Sequence, residues 1–299
     1  MRSVPGELYP FRGRYFDVGG ARMHYLDEGT GEPVVMLHGN PTWSFYYREL
    51  VRALSPRYRC IVPDHVGMGP SDKPGDDRYE YTLERRVDDL GALLEHLGVE
   101  RDVTLVLHDW GGMIGMAWAA RRPERVARLV ILNTAAFPLP DDKPFPWPLW
   151  LTRTPVGALL VRRFNAFSAI AARVCVTRAP LPREVRRAYT APYDSYANRI
   201  ATLRFVQDIP LRPGDRAWPI LEATAARLHL FSHLPALICW GDRDFVFDHA
   251  FLREWRRHLP GARVVRFPDA GHYVLEDAAD EIVPLVERFL AEHPLPARA

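Results

Sequence analysis

Four short apolar runs in the first 135 residues, each closed by turn residues, constrain this chain more than any other feature. They are Val34-Val35-Met36-Leu37, Cys60-Ile61-Val62, Val103-Thr104-Leu105-Val106-Leu107 and Leu129-Val130-Ile131-Leu132. Such runs lack polar alternation, which fits strands covered on both faces, as in a parallel sheet. Between the second and third, Leu83, Val87, Leu90, Leu93, Leu94 and Leu97 recur on one helical face, with Thr82 as N-cap and Gly98 as C-terminal stop. Strand, helix, strand at this spacing implies right-handed crossovers and an α/β fold.

The pattern breaks at Pro138, Pro140, Pro144, Pro146 and Pro148, a stiff segment that continues neither element. From Trp150 to Phe205 the chain reads as short helices, and Pro210 to Pro219 closes the region. Strand signals resume at Ala236-Leu237-Ile238-Cys239-Trp240 and Ala262 to Phe267, before a last amphipathic helix near Asp280 to Glu292. The expected organisation is a split core, 1–137 and 215–299, with a helical cap inserted over 138–214.

Charge and composition exclude several functions. With 39 basic and 37 acidic residues, the net charge of +2 supplies no general field for a nucleic-acid backbone. Cys60, Cys175 and Cys239 are odd in number and at no metal-ligand spacing, so they read as reduced, buried thiols. No apolar run approaches the roughly 18 residues of a membrane span, and Met1 to Gly20 lacks the apolar stretch of a secretory signal. The expectation is a soluble, cytoplasmic, core-forming protein. Its basic residues are almost all arginine, with Lys73 and Lys143 as the lysines.

The chemistry concentrates in Leu105-Val106-Leu107-His108-Asp109-Trp110-Gly111-Gly112. A buried strand ends, a polar residue follows, and small residues open a helix at once, which is the arrangement of a nucleophile elbow. Asp109 stands at the nucleophile position, Gly111 at the following small site, and Leu107 where a glycine would precede. No G-x-S-x-G occurs in the chain, which counts against a serine esterase. On this segment alone, a nucleophilic Asp109 and an Asp109 that caps the helix weigh equally. Other segments shift the balance. Leu37-His38-Gly39-Asn40-Pro41-Thr42 follows the first run, where this architecture places an oxyanion-hole loop. Trp240-Gly241-Asp242-Arg243-Asp244 and Asp269-Ala270-Gly271-His272-Tyr273 follow later runs, giving the order nucleophile, acid, histidine at the sheet edge that binds ligands.

These segments resemble the haloalkane dehalogenase group of α/β-hydrolases over nearly the whole chain. His38-Gly39-Asn40-Pro41-Thr42, His108-Asp109-Trp110-Gly111 and Gly271-His272-Tyr273 carry the likeness. It implies an α/β-hydrolase fold: a mostly parallel central sheet flanked by helices, with an inserted helical cap. It further implies Asp109 as nucleophile, His272 as base, Asp244 as its orienting acid, and Asn40 and Trp110 as donors to a departing halide or oxyanion. Where some members carry a Glu acid after the sixth strand, this chain has Asn133, which leaves the role to Asp244.

Longer stretches narrow the resemblance. Arg163-Phe164-Asn165-Ala166-Phe167-Ser168 and 191–199, with Asn133-Thr134-Ala135-Ala136-Phe137 and Asp244-Phe245-Val246-Phe247-Asp248, are similar to the β-lactone decarboxylases of bacterial olefin biosynthesis. These convert a cis-3,4-dialkyl-oxetan-2-one to an alkene and carbon dioxide, which is the activity the resemblance implies. Haloalkane dehalogenation is the alternative, and epoxide hydrolysis aided by Tyr189, Tyr193 or Tyr196 is a third reading. A catalytically silent binding module is a fourth, opposed by the complete Asp109, Asp244 and His272 set.

The residue types suit covalent catalysis. A carboxylate with a reference pKa near 4 is already ionised at neutral pH and attacks without a base. Attack of Asp109 on a lactone ring carbon gives an alkyl ester, and attack on the carbonyl a mixed anhydride; the residues alone leave both open. Asp242 competes with Asp244, but the spacing from Gly241 favours Asp244. His38, His65 and His108 read as structural or supporting, and Ser44 and Ser71 lack elbow context. Trp147, Trp150, Phe164, Phe167, Tyr193, Tyr196 and Phe205 are candidates for an apolar substrate tunnel, against simple packing of cap on core. Residues 150–205 hold ten Arg against Glu184 and Asp194, either a solvated surface or a docking face for an acidic enzyme of the same pathway or an anionic acyl carrier. No phosphate loop, dinucleotide fingerprint or metal cluster occurs, so no cofactor is expected.

Overall fold

The computed structural model describes residues 4–295, so the first three residues of the stretch read above for a signal lie outside the described residues. Eight strands form one sheet: β1 Arg14–Asp17, β2 Arg22–Glu28, β3 Pro33–Leu37, β4 Arg59–Pro63, β5 Val103–Asp109, β6 Val126–Thr134, β7 Ala236–Gly241 and β8 Arg263–Phe267. Their order is β1-β2-β4-β3-β5-β6-β7-β8. Every pair from β4 to β8 is parallel, while β1 and β2 add antiparallel at one edge.

The parallel strands are the apolar runs of the sequence, and their alternation divides the core. Val35 and Leu37 of β3 and Leu105 and Leu107 of β5 join one buried cluster, whereas Val34, Met36 and Val106 join the other. Helices α1 Arg48–Leu54, α2 Leu83–His96 and α3 Trp110–Arg121 are set between these strands. Residues of α2 and α3 complete the first cluster and residues of α1 the second. Each fully buried Leu, Ile or Val contributes about 1.5–3 kcal/mol, so the two-sided burial is the main stabilising term. Thr82 caps α2 by accepting the Arg85 N–H, and Gly98 turns the chain beyond its end with φ of 65°.

The β1–β2 hairpin was not legible as an apolar run, for a physical reason. β1 is largely exposed, so no buried face imposes a pattern on it, and the turn uses Gly19 and Gly20 at positive φ.

Between β6 and β7 the chain is helical: α4 Trp147–Thr152, α5 Pro155–Phe164, α6 Ala166–Val174, α7 Arg183–Thr190, α8 Ile200–Gln207 and α9 Trp218–Arg227. Helix α9 returns to lie against α3. After β7 come α10 His249–His258, α11 Val274–Asp277 and α12 Ala279–Glu292. The carboxyl ends of β3, β5, β7 and β8 open toward α4–α6; β5 ends on Asp109, and the loops leaving the other three carry Asn40, Asp244 and His272.

Candidate active site

Asp109 is the last residue of β5, and α3 begins at the next position. Its backbone sits at φ 50°, ψ −125°, a conformation that non-glycine residues avoid unless their surroundings impose it. The surroundings here are tight. A Cβ on Gly39 would fall 1.9 Å from Asp109 Oδ1, and one on Gly112 would fall 1.9 Å from Thr134 Oγ1. The Thr134 hydroxyl donates to the Asp109 carbonyl. The elbow therefore needs a small residue three positions after the acid and tolerates Leu107 before it, whose side chain packs into the core.

Four strand ends converge on the Asp109 carboxylate. The Asn40 N–H donates to Oδ1 at 2.6 Å, and His272 Nε2 lies 3.5 Å from Oδ2. His272 Nδ1 donates to Asp244 Oδ2 at 2.7 Å. The other Asp244 oxygen accepts the Val246 and Phe247 N–H groups at 2.7 and 3.1 Å, which locks the acid in place. The His108 Nε2–H donates to the His272 carbonyl at 2.8 Å. Asn133 Oδ1 accepts the Gly241 N–H and its amide donates to the Gly241 and Phe247 carbonyls, so this side chain anchors the acid loop to β6.

Charge balance follows from this geometry. Burial opposes a charged His272, yet the carboxylates of Asp244 and Asp109 outweigh it and raise the imidazole to about 10. Burial likewise works against an ionised Asp109, but His272 and the Asn40 N–H hold it below the ordinary carboxylate range. Burial, reinforced by the neighbouring His272 charge, lowers His108 to about 3 and keeps it neutral. At neutral pH Asp109 is thus ionised and His272 an imidazolium. Because the folded-state value of His272 exceeds the unfolded value of about 6.5, its contribution to stability is whole below pH 6.5 and is lost as pH rises through about 10. Nitrogen-15 NMR at pH 8 will show His272 with both ring nitrogens protonated, and the wild-type melting temperature will fall between pH 7 and 10 more steeply than that of His272→Gln. A neutral His272 spectrum at pH 8 contradicts this charge state.

A cavity of about 570 Å³ opens over the carboxylate, with Asn40, Asp109, Trp110 and His272 at its base. Its walls are almost wholly apolar. Trp147 and Phe167 line it, as the tunnel reading requires. The other five tunnel candidates do not. Trp150 is exposed and edge-on to Phe145, and Phe164 is exposed at the end of α5. Tyr196 is exposed beneath the Arg162 guanidinium. Tyr193 is buried, its hydroxyl donating to the Thr42 carbonyl, and Phe205 is buried behind Trp110 with Arg86 over its ring. Residue type marks all seven as apolar, and only helix rotation decides which of them turn toward the cavity. The proline segment, read as a stiff stretch that continues neither strand nor helix, also supplies Leu139, Phe145 and Pro146 to the wall. Phe247, not among the tunnel candidates, stacks on His272 and lines the cavity.

Asn40 donates its side-chain amide to the Thr202 carbonyl at 3.0 Å, while its Oδ1 is buried without a partner. The Trp110 indole lines the cavity, and its N–H has no protein acceptor among the described residues. His38 accepts the His65 N–H on Nε2 and donates Nδ1–H to the Gly39 carbonyl, so the pair braces the loop that carries Asn40. Asp242 pairs with Arg266 at 2.9 Å, away from His272. Ser44 is bound to Asp64, and Ser71 to Asp64 and the His24 N–H, and neither lines the cavity. Tyr189 donates to Glu276, and none of Tyr189, Tyr193 and Tyr196 lines the cavity, which removes the hydroxyls an epoxide ring oxygen requires. Among the described residues no group of three His, Cys, Asp or Glu side chains could hold a metal ion.

Comparison with known proteins agrees with the geometry. Two relatives are each named cis-3-alkyl-4-alkyloxetan-2-one decarboxylase. That of Shewanella oneidensis is 58% identical over 286 residues, spanning 95% of this chain and 90% of the relative. That of Xanthomonas campestris pv. campestris is 54% identical over 302 residues, spanning 98% of this chain and all of the relative. The crystal structure of haloalkane dehalogenase DbeA from Bradyrhizobium elkani USDA94 superposes with a TM-score of 0.85 at 30% identity, covering 94% of this chain and 98% of that one. A family model described as alpha/beta hydrolase fold matches residues 32–279, and with these relatives it shows that the chain belongs to the α/β-hydrolase fold family, in the branch that holds these decarboxylases and the haloalkane dehalogenases.

Proposed function

We propose that this protein is a β-lactone decarboxylase that converts cis-3,4-dialkyl-oxetan-2-ones to an alkene and carbon dioxide, with Asp109 as nucleophile. The observation that carries the reading is an ionised carboxylate on a tight elbow, backed by His272 and Asp244, at the base of an apolar cavity sized for alkyl chains. The identity of 54–58% to relatives named for that reaction supports the choice of substrate.

Asp109 attacks the ring sp3 carbon that bears the ring oxygen. The new C–O bond forms as the ring C–O bond breaks, and its electron pair becomes a substrate carboxylate. Asn40, Trp110 and the His272 imidazolium stabilise that developing charge, each donor at about 2.7–4 kcal/mol in comparable sites. The bond from the adjacent carbon to the carboxylate then breaks, its electrons form the alkene, and the Asp109 carboxylate leaves with its own pair. Attack at the carbonyl instead leaves an alkoxide whose oxygen must depart as oxide, a far poorer leaving group. Inversion followed by anti elimination delivers the cis alkene. No proton is transferred and no water consumed, which suits an imidazolium in the ground state.

Hydrolytic dehalogenation, the second reading, rests on the shared fold and needs a water activated by neutral His272. Two assays separate them. The protein will release alkene and carbon dioxide from a cis-dialkyl β-lactone and no bromide from a bromoalkane; bromide alone refutes the proposal. In ¹⁸O-water, many turnovers of lactone will leave the Asp109 peptide unlabelled, whereas label in its carboxylate shows ester hydrolysis.

Two finer points belong to the same reading. Cys60, Cys175 and Cys239 are buried free thiols, which supports a reducing cytoplasmic setting, and no helix among the described residues is long and apolar enough to cross a membrane. Arg183, Arg186 and Arg187 have no carboxylate partner among the described residues, which supports docking of an acidic enzyme of the same pathway on α7. Charge reversal at the three sites will abolish co-purification of such a partner and leave turnover unchanged; retained co-purification excludes α7.

A further inference from the structure

Most elements of this protein turn their apolar residues inward, but α4, α5 and α6 do not. Trp147, Leu151, Leu160, Ile170 and Val174 are exposed and also line the cavity, so they form the collar of its mouth. Beyond the collar, Trp150, Val156, Leu159 and Phe164 extend the apolar surface; Trp147 is 75% exposed and Phe164 65%. The three helices pack side by side, so the patch is continuous, and patches of this extent on a monomer mark an interaction surface.

The charges on the same helices point to the occupant. Between Trp147 and Val174 there are four arginines and no Asp or Glu. Arg163 and Arg173 are exposed and have no carboxylate partner among the described residues, and Arg162 lies over the Tyr196 ring. Many surface arginines elsewhere are paired, as in Arg57–Glu287, Arg121–Asp88, Arg204–Asp76, Arg216–Glu80 and Arg253–Asp142, although Arg183, Arg186 and Arg187 of α7 are not. A second copy seated symmetrically on this face would bring arginines against arginines. A protein partner covering the collar would close the mouth. A bilayer instead offers hydrocarbon to the collar and phosphates to the arginines, with tryptophans at the interface.

We propose that α4–α6 are a monotopic docking surface that seats the cavity mouth on an anionic lipid bilayer, from which apolar substrate enters and to which apolar product returns. The surface is independent of the chemistry at Asp109, and binding is measured without substrate, so its failure and that of the proposed reaction are distinguishable.

The test is co-sedimentation of the full chain with vesicles of phosphatidylcholine, alone or mixed with phosphatidylglycerol. The wild type will bind the mixed vesicles, less so as salt rises, and bind phosphatidylcholine alone weakly. Arg163→Glu/Arg173→Glu and Trp150→Glu/Phe164→Glu, none of which lines the cavity, will each lower partitioning roughly tenfold or more. Both will keep the wild-type melting transition and turnover of a short-chain, water-soluble substrate. Absent binding to the anionic vesicles at low salt, or equal binding by the variants, overturns the proposal. So does a wild-type dimer that Trp150→Glu/Phe164→Glu converts to monomer, or a purified protein partner that these variants release in the absence of vesicle binding.

Discussion

Asp109→Asn will fold and form no measurable alkene, with a loss in kcat on the order of 10⁴ or more, the scale seen when a covalent nucleophile is removed. The amide keeps the shape of the carboxylate and the hydrogen bond from Asn40, but it has no ionised oxygen with which to open a lactone ring. The substitution also removes one of the two negative charges that hold His272 protonated, so the His272 value will drop from about 10. Three readings check this: alkene yield by gas chromatography, a cooperative melting curve, and the His272 NMR titration. Retained alkene formation by a folded variant refutes the nucleophile assignment. Loss of activity with His272 unshifted refutes the electrostatic account while leaving the nucleophile in place.

Gly111→Ala will remove most folded protein, at a cost of about 3 kcal/mol or more. A Cβ at Gly111 would stand 1.9 Å from the Leu37 carbonyl oxygen and 2.5 Å from its carbon. Those are backbone atoms of β3, paired through Leu37 to Leu107 of β5, so no flexible side chain can give way. Either β3 leaves its register or the elbow opens, and both displace Asn40 from Asp109. Gly98→Ala is the control. It has open space around the new Cβ and only the strain of φ 65°, so it will cost about 1 kcal/mol. Denaturant midpoints of the two variants give the comparison directly. Equal midpoints would show that close approach at Gly111 is not what shapes the elbow.

The two substitutions mark different levels of legibility. The elbow at Asp109 was readable because 103–112 has a strand, one residue and a helix in immediate succession. That segment alone weighed a nucleophile and a cap equally, and only 37–42, 240–244 and 269–273 shifted the balance. The contact that makes Gly111 indispensable was not readable, because Leu37 is remote in sequence and reaches it only through strand pairing. The same limit applies to the wall of the cavity. Phe205 and Phe167 are equally apolar, yet one is buried behind Trp110 and the other faces the cavity, because their helices are rotated differently against the core. Thr134, which holds the elbow carbonyl, and Phe247, which stacks on His272, lie in stretches that carry the resemblance, but nothing local assigns them these contacts.

By itself the sequence determined the parallel α/β architecture, because buried strands must be continuously apolar and their crossovers helical. It also set Asp109, Asp244 and His272 in that order, each after such a run. Only the tertiary structure decided that two tunnel aromatics and the proline segment line the cavity, and that α4–α6 keep their apolar collar outside. Those outcomes depend on distances between segments far apart in the chain, and on which side of a helix packs inward, neither of which is a local property of residues.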